Sequence, residues 1–247
     1  MEEGAILRSR LLAGHPHGFT TRHGGASGGR FRSLNLSSTV GDDPARVEEN
    51  WARLRAATGL AFARVRQVHG CRVVEAGAGS PPVEEADAIT TAAPGVAACV
   101  AVADCVPVLL ADPRSGAVAA IHAGWRGTLA GAAAEGVRAL AVRHGARPGD
   151  LLAALGPSIG PCCFEVDREI ALRFRDALGD TAATARNQGS RVDLWRANDI
   201  VLRQAGLSRR RIETLGRCTS CEERTFFSHR RDGGRTGRHV AFIAAVS

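Results

Sequence analysis

Hydrophobic and polar positions along this chain change over in short blocks, a pattern that predicts many strands and few helices. The clearest helix starts behind Asp43 as N-cap, with Pro44 in the first helical position and Gly59 where a terminating glycine belongs. Between them Val47, Trp51 and Leu54 recur at helical spacing and give one apolar face. The middle of the chain reads as strands over Phe62–His69, Val96–Ala103, Val106–Ala111 and Ala117–His122, short apolar or alternating runs punctuated by Gly, Pro and Asp. An alanine-rich helix from about Leu129 to Arg143 follows. Next come a strand at Leu151–Leu155 and an amphipathic helix at Arg168–Leu178, capped by Asp167. The last third predicts short strands around Val192, Ile212 and Val240–Ala245 and a helix near Ala197–Ala205. Successive strands without a crossover helix point to an α+β fold rather than a doubly wound parallel sheet. No repeat, low-complexity tract or long linker breaks the pattern, so the expectation is one domain over residues 1–247.

Composition changes this picture little. A chain of 247 residues with 45% hydrophobic and 23% charged positions buries a large core. No apolar run reaches the ~18 residues of a membrane span. The acidic start Met1-Glu2-Glu3-Gly4 lacks the basic and apolar segments of a signal peptide. The expected location is therefore the cytoplasm, without a membrane partner. Seven cysteines there read as thiols or metal ligands rather than a disulfide framework.

The net charge of +7 raises the question of nucleic acid. Lysine and tyrosine are both absent, so all 32 basic residues are arginine, a bias in codon usage more than a designed face. The excess gathers in residues 203–238, with ten arginines against Glu213, Glu222, Glu223 and Asp232. Only 4% of residues are aromatic, too few to interleave rings with bases. A nucleic-acid partner is not expected. The missing lysine also excludes Schiff-base chemistry and a Walker-type phosphate loop.

Three residues stand where chemistry can use them. His69 ends one predicted strand, Cys105 sits at the junction of two, and His122 closes a fourth before Ala123-Gly124-Trp125-Arg126-Gly127. Two imidazoles and a thiolate form a sound zinc set, and stopping at three leaves a coordination position open. Their spacings match no local metal motif, and a single strand-end histidine or lone cysteine is commonly structural. Cys218-x-x-Cys221 is half of a zinc ribbon with no second pair near it, and reads as structural or incidental. Cys162 and Cys163 are expected on opposite sides of a strand. With eight histidines, and Met1 as the single methionine, the chain lacks the ligands of a four-copper oxidase or a blue-copper site.

At these residues the chain resembles a known family. Gln67-Val68-His69-Gly70, Ala103-Asp104-Cys105-Val106-Pro107 and Ile121-His122-Ala123-Gly124-Trp125-Arg126-Gly127 are similar to motifs of the YfiH-like laccase-domain family. So are Leu155-Gly156-Pro157-Ser158-Ile159-Gly160-Pro161-Cys162-Cys163-Phe164-Glu165-Val166, Asp193-Leu194-Trp195, Cys218-Thr219 and Phe227-Ser228-His229-Arg230-Arg231-Asp232. The earlier Thr21-Arg22-His23-Gly24-Gly25 and Leu34-Asn35-Leu36 fit as well, so the resemblance covers nearly the whole chain. It implies a layered α+β sandwich of mixed sheets with flanking helices, and metal ligands at His69, Cys105 and His122. It also implies phosphorolysis of adenosine, inosine and methylthioadenosine, with adenosine deamination as a further activity. Arg22, Asn35, Gln67 and His229 become substrate-binding candidates. Some members carry tyrosine where this chain has Phe164. "Polyphenol oxidase" and "peptidoglycan editing factor" are also names in use for the family.

The expected cofactor is Zn2+, with Cu2+ as the other candidate, and the expected partners are purine nucleosides and phosphate. A deaminase pairs the metal with a carboxyl group that shuttles protons, and Asp104 is the nearest one to Cys105 in sequence. Neighbours on an extended strand nevertheless point to opposite faces. Arg126, on a turn leading into a helix, is placed to meet a phosphate, and Arg22 in the glycine-rich loop is a second cation for it. One rival makes Cys105 the nucleophile of an amidase-type hydrolase editing cell-wall precursors. Another is a copper-dependent phenol oxidase. The chain is expected to be a monomer or a small homo-oligomer.

Overall fold

The computed structural model describes residues 4–77, 84–184 and 189–246; Met1 to Glu3, on which the expectation about a leader rests, lie outside them. Two mixed sheets stack on each other. The first, of five strands, runs β1 (Ile6–Leu7), β2 (His17–Thr20), β14 (His239–Ala244), β6 (Val96–Val102), β3 (Ala61–Ala63) across its width. The second, of six, runs β13 (Ile212–Thr214), β9 (Leu152–Leu155), β7 (Val106–Ala111), β8 (Val118–Ala123), β5 (Ala88–Thr91), β4 (Val73–Glu75). Pairing is mostly antiparallel, with parallel joins at β3–β6, β4–β5 and β9–β13. A small sheet of β10 (Glu165–Val166), β12 (Ser190–Val192) and β11 (Ala183–Thr184) lies apart.

Strand periodicity sorts the apolar residues into three cores, because successive side chains alternate between faces. On β14, Val240, Phe242 and Ala244 pack with Val47, Trp51 and Leu54 of helix α1 (Pro44–Thr58). Ala241 and Ile243 of the same strand face Leu109, Val118 and Ala120 of the second sheet. The far face of that sheet sends Val108, Leu110 and Ile121 against Val137 and Leu140 of α3 (Ala132–His144) and Val201 and Leu202 of α5 (Leu194–Gln204). The result is a helix–sheet–sheet–helix sandwich in a single domain, the α+β arrangement expected from sequence. Covered on both faces, its central strands read as continuous apolar runs rather than alternating ones. None of the described helices is long and apolar enough to cross a membrane.

Local signals hold where the backbone itself sets them. Asp43 caps α1 by accepting from Ala45 N–H at 2.9 Å, and Gly59 ends it in the left-handed region at φ 70°. Asp167 occupies the N-cap position of α4 (Arg168–Leu178), but its side chain makes no capping hydrogen bond. The alanine-rich helix begins later than expected, as α3 at Ala132, because Gly131 at φ 78° separates it from a short preceding helix, α2 (Trp125–Leu129). The expected strand Phe62–His69 shortens to β3. Residues 64–70 leave it as an irregular segment crossing from the first sheet toward the second, bridged at Arg66 to Glu85. His69 therefore lies in a loop.

Candidate metal centre

Two of the connections that cross between the sheets build the site. One is the 64–70 segment; the other is Ala103-Asp104-Cys105, which joins β6 of one sheet to β7 of the other. Among the described residues, the non-glycine residues with positive φ are His69 (63°) and Asp104 (87°), one in each crossing. Such backbone persists only where surrounding contacts hold it. The third residue comes from β8. Val118 and Ala120 face the first sheet, and the same alternation sends His122 to that side, at the strand's end.

The nitrogen and sulfur ligand atoms of His69, Cys105 and His122 all lie within 4.8 Å of one another. The two imidazole rings stand edge to face with centroids 4.8 Å apart. Behind them Asp87, fully buried, fixes both histidines. Its Oδ1 accepts from His122 Nδ1 at 2.8 Å and from His69 N–H at 2.9 Å; its Oδ2 accepts from Gly70 N–H at 2.6 Å and Val68 N–H at 3.3 Å. Burial works to raise the Asp87 carboxyl, but hydrogen bonds from His122, Gly70 and His69 win and hold it below the ordinary value of 3.8. An ionised carboxylate only accepts, so His122 Nδ1 carries a proton and Nε2 is the nitrogen a metal can take by displacing its proton.

Charge at the thiol points the same way. Burial works to raise the Cys105 thiol, yet His122 and His69 bring it down to about 6. Burial works to lower His122, but the Cys105 thiolate and Asp87 lift it to about 9. In the metal-free protein the pair is thiolate and imidazolium at neutral pH, and a cation arriving there replaces the imidazolium proton. A deprotonated sulfur, two convergent imidazoles and a carboxylate behind one of them are the donor set a structural or catalytic zinc takes.

The remaining candidates lie around this centre or on the surface. Asp104 adjoins Cys105, with Oδ1 accepting from Thr219 Oγ1 and Oδ2 from Arg230 N–H, both at 2.6 Å. Gln67 closes a two-way bond with Ala101, donating from Nε2 at 2.8 Å and accepting at Oε1 at 2.7 Å, so its amide ties the crossing loop to β6. Asn35 is fully buried and engaged with Ser37, Asp42 and Arg238 N–H. Arg22 donates to the carbonyls of Arg32 and Glu223 and lies over the Phe227 ring. It lines a cavity of about 520 Å³ together with His23, Arg32, Ser33, Glu223 and Arg224. Arg126 is exposed, stacked 4.3 Å from the Trp125 ring centroid. His229 is exposed on the turn closed by Gly234 N–H to its carbonyl at 2.8 Å.

Sequence reasoning missed Asp87, hidden in the acid-rich run Glu84-Glu85-Ala86-Asp87, which reads as surface. The available signal was its position against the apolar start of β5. It also missed Arg238. Burial pulls that guanidinium below the usual arginine range while Cys105 and Asp104 pull it back up, so it lies within reach of both charges. Its side-chain hydrogen bonds among the described residues all leave from Nη1. The cysteine expectations are corrected outright. Cys162 and Cys163 sit in a turn and not on opposite sides of a strand, and they are the second pair that Cys218 and Cys221 lack in sequence.

Gly124 touches the centre without contributing an atom to it. A Cβ there would stand 2.9 Å from Cys105 Sγ and 3.3 Å from His69 Cδ2, although its backbone (φ −70°, ψ 176°) suits any residue. Gly124→Ala is therefore expected to act through collision alone. It should cost about 1–3 kcal/mol of stability and weaken metal binding, read by thermal unfolding and chelator competition. Wild-type metal affinity in this variant would show that the sulfur and ring move aside freely.

The family model described as multi-copper polyphenol oxidoreductase laccase matches residues 16–246. A protein of Deinococcus radiodurans named purine nucleoside phosphorylase is 45% identical over 241 residues, covering 96% of this chain and 92% of its own. Purine nucleoside phosphorylase YlmD of Geobacillus stearothermophilus is 41% identical over 250 residues, covering 94% and 90%. The crystal structure of YlmD superposes with a TM-score of 0.93 over 100% of this chain and 98% of that one, at 37% identity.

Proposed function

Because this chain belongs to the multi-copper polyphenol oxidoreductase laccase family, the YfiH family, and its relatives bear the name purine nucleoside phosphorylase, we propose that it is a zinc-dependent enzyme of that type. Its substrates on this reading are adenosine, inosine and methylthioadenosine, cleaved by phosphate to free base and sugar 1-phosphate. The observation that carries the proposal is the meeting of His69, Cys105 and His122 around one point in a chain so similar to those relatives.

Zinc suits the mixed nitrogen and sulfur donors, although they also accept copper, and when bound it supplies Lewis acidity at an open coordination position. The chain's own residues do the rest. Asp87 sets the His122 tautomer and holds the loop of His69. Arg238, near Cys105 with Nη2 and Nε to offer, and the exposed Arg126 are the cations for phosphate. An oxygen of hydrogen phosphate bonds to the sugar C1′ as the glycosidic C–N bond breaks, and the base leaves with that bond's electron pair and takes up the proton the phosphate gives up. Adenosine deamination stands as the second activity, with less support. Asp104 and Asp87, the carboxylates adjoining the ligands, already accept two and four hydrogen bonds. Seven unpaired thiols support a cytoplasmic location.

One observation favours a second reading. Asp87, His122 and Cys105 form a carboxylate–imidazole–thiolate chain, the arrangement of a cysteine hydrolase such as an amidase acting on cell-wall precursors. His69 on the same sulfur weighs against it, since a nucleophile needs one imidazole and a metal takes two.

The test incubates purified protein with adenosine, with and without phosphate and with a chelator, and separates the products. Adenine and ribose 1-phosphate should appear only with phosphate and stop with chelation; inosine would report deamination. If none of adenosine, inosine and methylthioadenosine gives phosphate-dependent base release, the proposal fails.

A further inference from the structure

We propose that Cys162, Cys163, Cys218 and Cys221 hold a second metal ion, a structural zinc with four thiolate ligands, that clamps the 158–164 turn to the 217–222 turn. All four sulfurs lie within 4.8 Å of one another. Cys221 Sγ is 3.5 Å from Cys162 Sγ and 3.4 Å from Cys163 Sγ. With zinc–sulfur bonds of ~2.3 Å, a tetrahedral four-thiolate site has sulfurs ~3.8 Å apart, so the Cys221 pairs need open only slightly to take the ion. A multi-iron cluster would spread the sulfurs further.

The bland explanation of a cysteine is a small buried hydrophobe. It fits Cys218, which is buried, but Cys162 and Cys221 are exposed. Exposed sulfurs drawn from segments more than fifty residues apart in sequence, as Cys162 and Cys221 are, gain little from burial there. The local backbone is built around sulfur as well. Gly160 N–H donates to Cys218 Sγ at 3.2 Å, the kind of bond that stabilises a metal-bound thiolate. Gly160 must stay glycine, because a Cβ would meet Trp195 at 2.8 Å and Cys162 Sγ at 3.2 Å. Arg191 donates to the carbonyls of Pro161 and Cys162, bringing positive charge beside a site whose four thiolates outweigh a divalent ion.

The clamp has a consequence for the first centre. Ile159, next to Gly160, donates its N–H to the Asp104 carbonyl at 2.9 Å, and Thr219, next to Cys218, donates Oγ1 to the Asp104 carboxylate at 2.6 Å. Two of the three tethers on Asp104, which precedes the candidate ligand Cys105 with φ 87°, thus hang from the segments the second metal joins, the third being Arg230 N–H. Asp104 is a positioning residue, and the second ion steadies it from behind.

The experiment counts metal in protein purified under reducing conditions. Wild type should carry two zinc per chain. The His69→Ala/Cys105→Ser variant should keep one, and its cobalt-substituted form should show intense sulfur-to-cobalt charge transfer with tetrahedral d–d bands. Cys162→Ser/Cys221→Ser should keep the other ion and lose this one. The His69→Ala/Cys105→Ser protein is the decisive sample, since it leaves the clamp intact even if the cysteine variants fail to fold. A wild type with one equivalent, all of it lost in that variant, overturns the proposal. So does a disulfide among the four cysteines, found by alkylation and peptide mapping.

Discussion

Replacing Asp87 with asparagine is expected to weaken metal binding by about 10–100-fold, although the side chain keeps its size and position. The amide has two orientations and both fail. With its oxygen toward His69 N–H and His122 Nδ1, its NH2 group faces the N–H groups of Gly70 and Val68, donor against donor. Turned over, it satisfies Gly70 but presents NH2 to His122 Nδ1, forcing that ring into the tautomer whose Nε2 carries hydrogen and cannot bind metal. Leaving buried donors unpaired should also cost about 1–3 kcal/mol of stability. Chelator competition and thermal unfolding read the two effects separately. Because the Asp87 carboxyl is held below 3.8, its contribution to wild-type stability is complete above that pH and is lost as pH falls below it. A variant that binds zinc like wild type would show that Asp87 orients nothing.

Part of the candidate metal centre was legible in sequence, from strand-end positions together with the family resemblance. His122 and Cys105 lie at the ends of long, fully buried strands, where apolar runs stop abruptly at a polar residue. The central strands and α1 were legible too, since burial on two faces and helix capping both leave local marks. The short strands were not. β5 buries Thr90 and Thr91, and β2 buries His17, so polar residues there conceal a core position. His69 was read as a strand end because Phe62 to His69 carries alternating apolar residues; its positive φ depends on three amides gathered by Asp87, a contact from eighteen residues away. The four-cysteine cluster was invisible for the same reason. Nothing between Cys163 and Cys218 records that the Ser158 and Cys218 backbones bridge.

Cys105→Ser is expected to remove the first metal and lower kcat/KM on the order of 10³-fold, the loss of several kcal/mol of Lewis-acid stabilisation. A serine hydroxyl is neutral at any working pH and a poor ligand for a borderline-soft ion. Both readings of the site predict inactivity, so the decisive measurement is alkylation of wild type at Cys105, followed by peptide mapping. Stripped of metal, Cys105 should react with iodoacetamide with a midpoint at about pH 6, against 9.0 for an ordinary thiol, because His122 stabilises its anion. Below that midpoint the sulfur carries its proton and reaction slows; above it the thiolate is formed and reaction is fast. Zinc should protect the sulfur across the whole range and restore nucleoside cleavage on being returned. If the as-isolated protein is inactivated by alkylation at Cys105 while chelators leave it active, sulfur is the nucleophile, and the two imidazoles serve it rather than a metal.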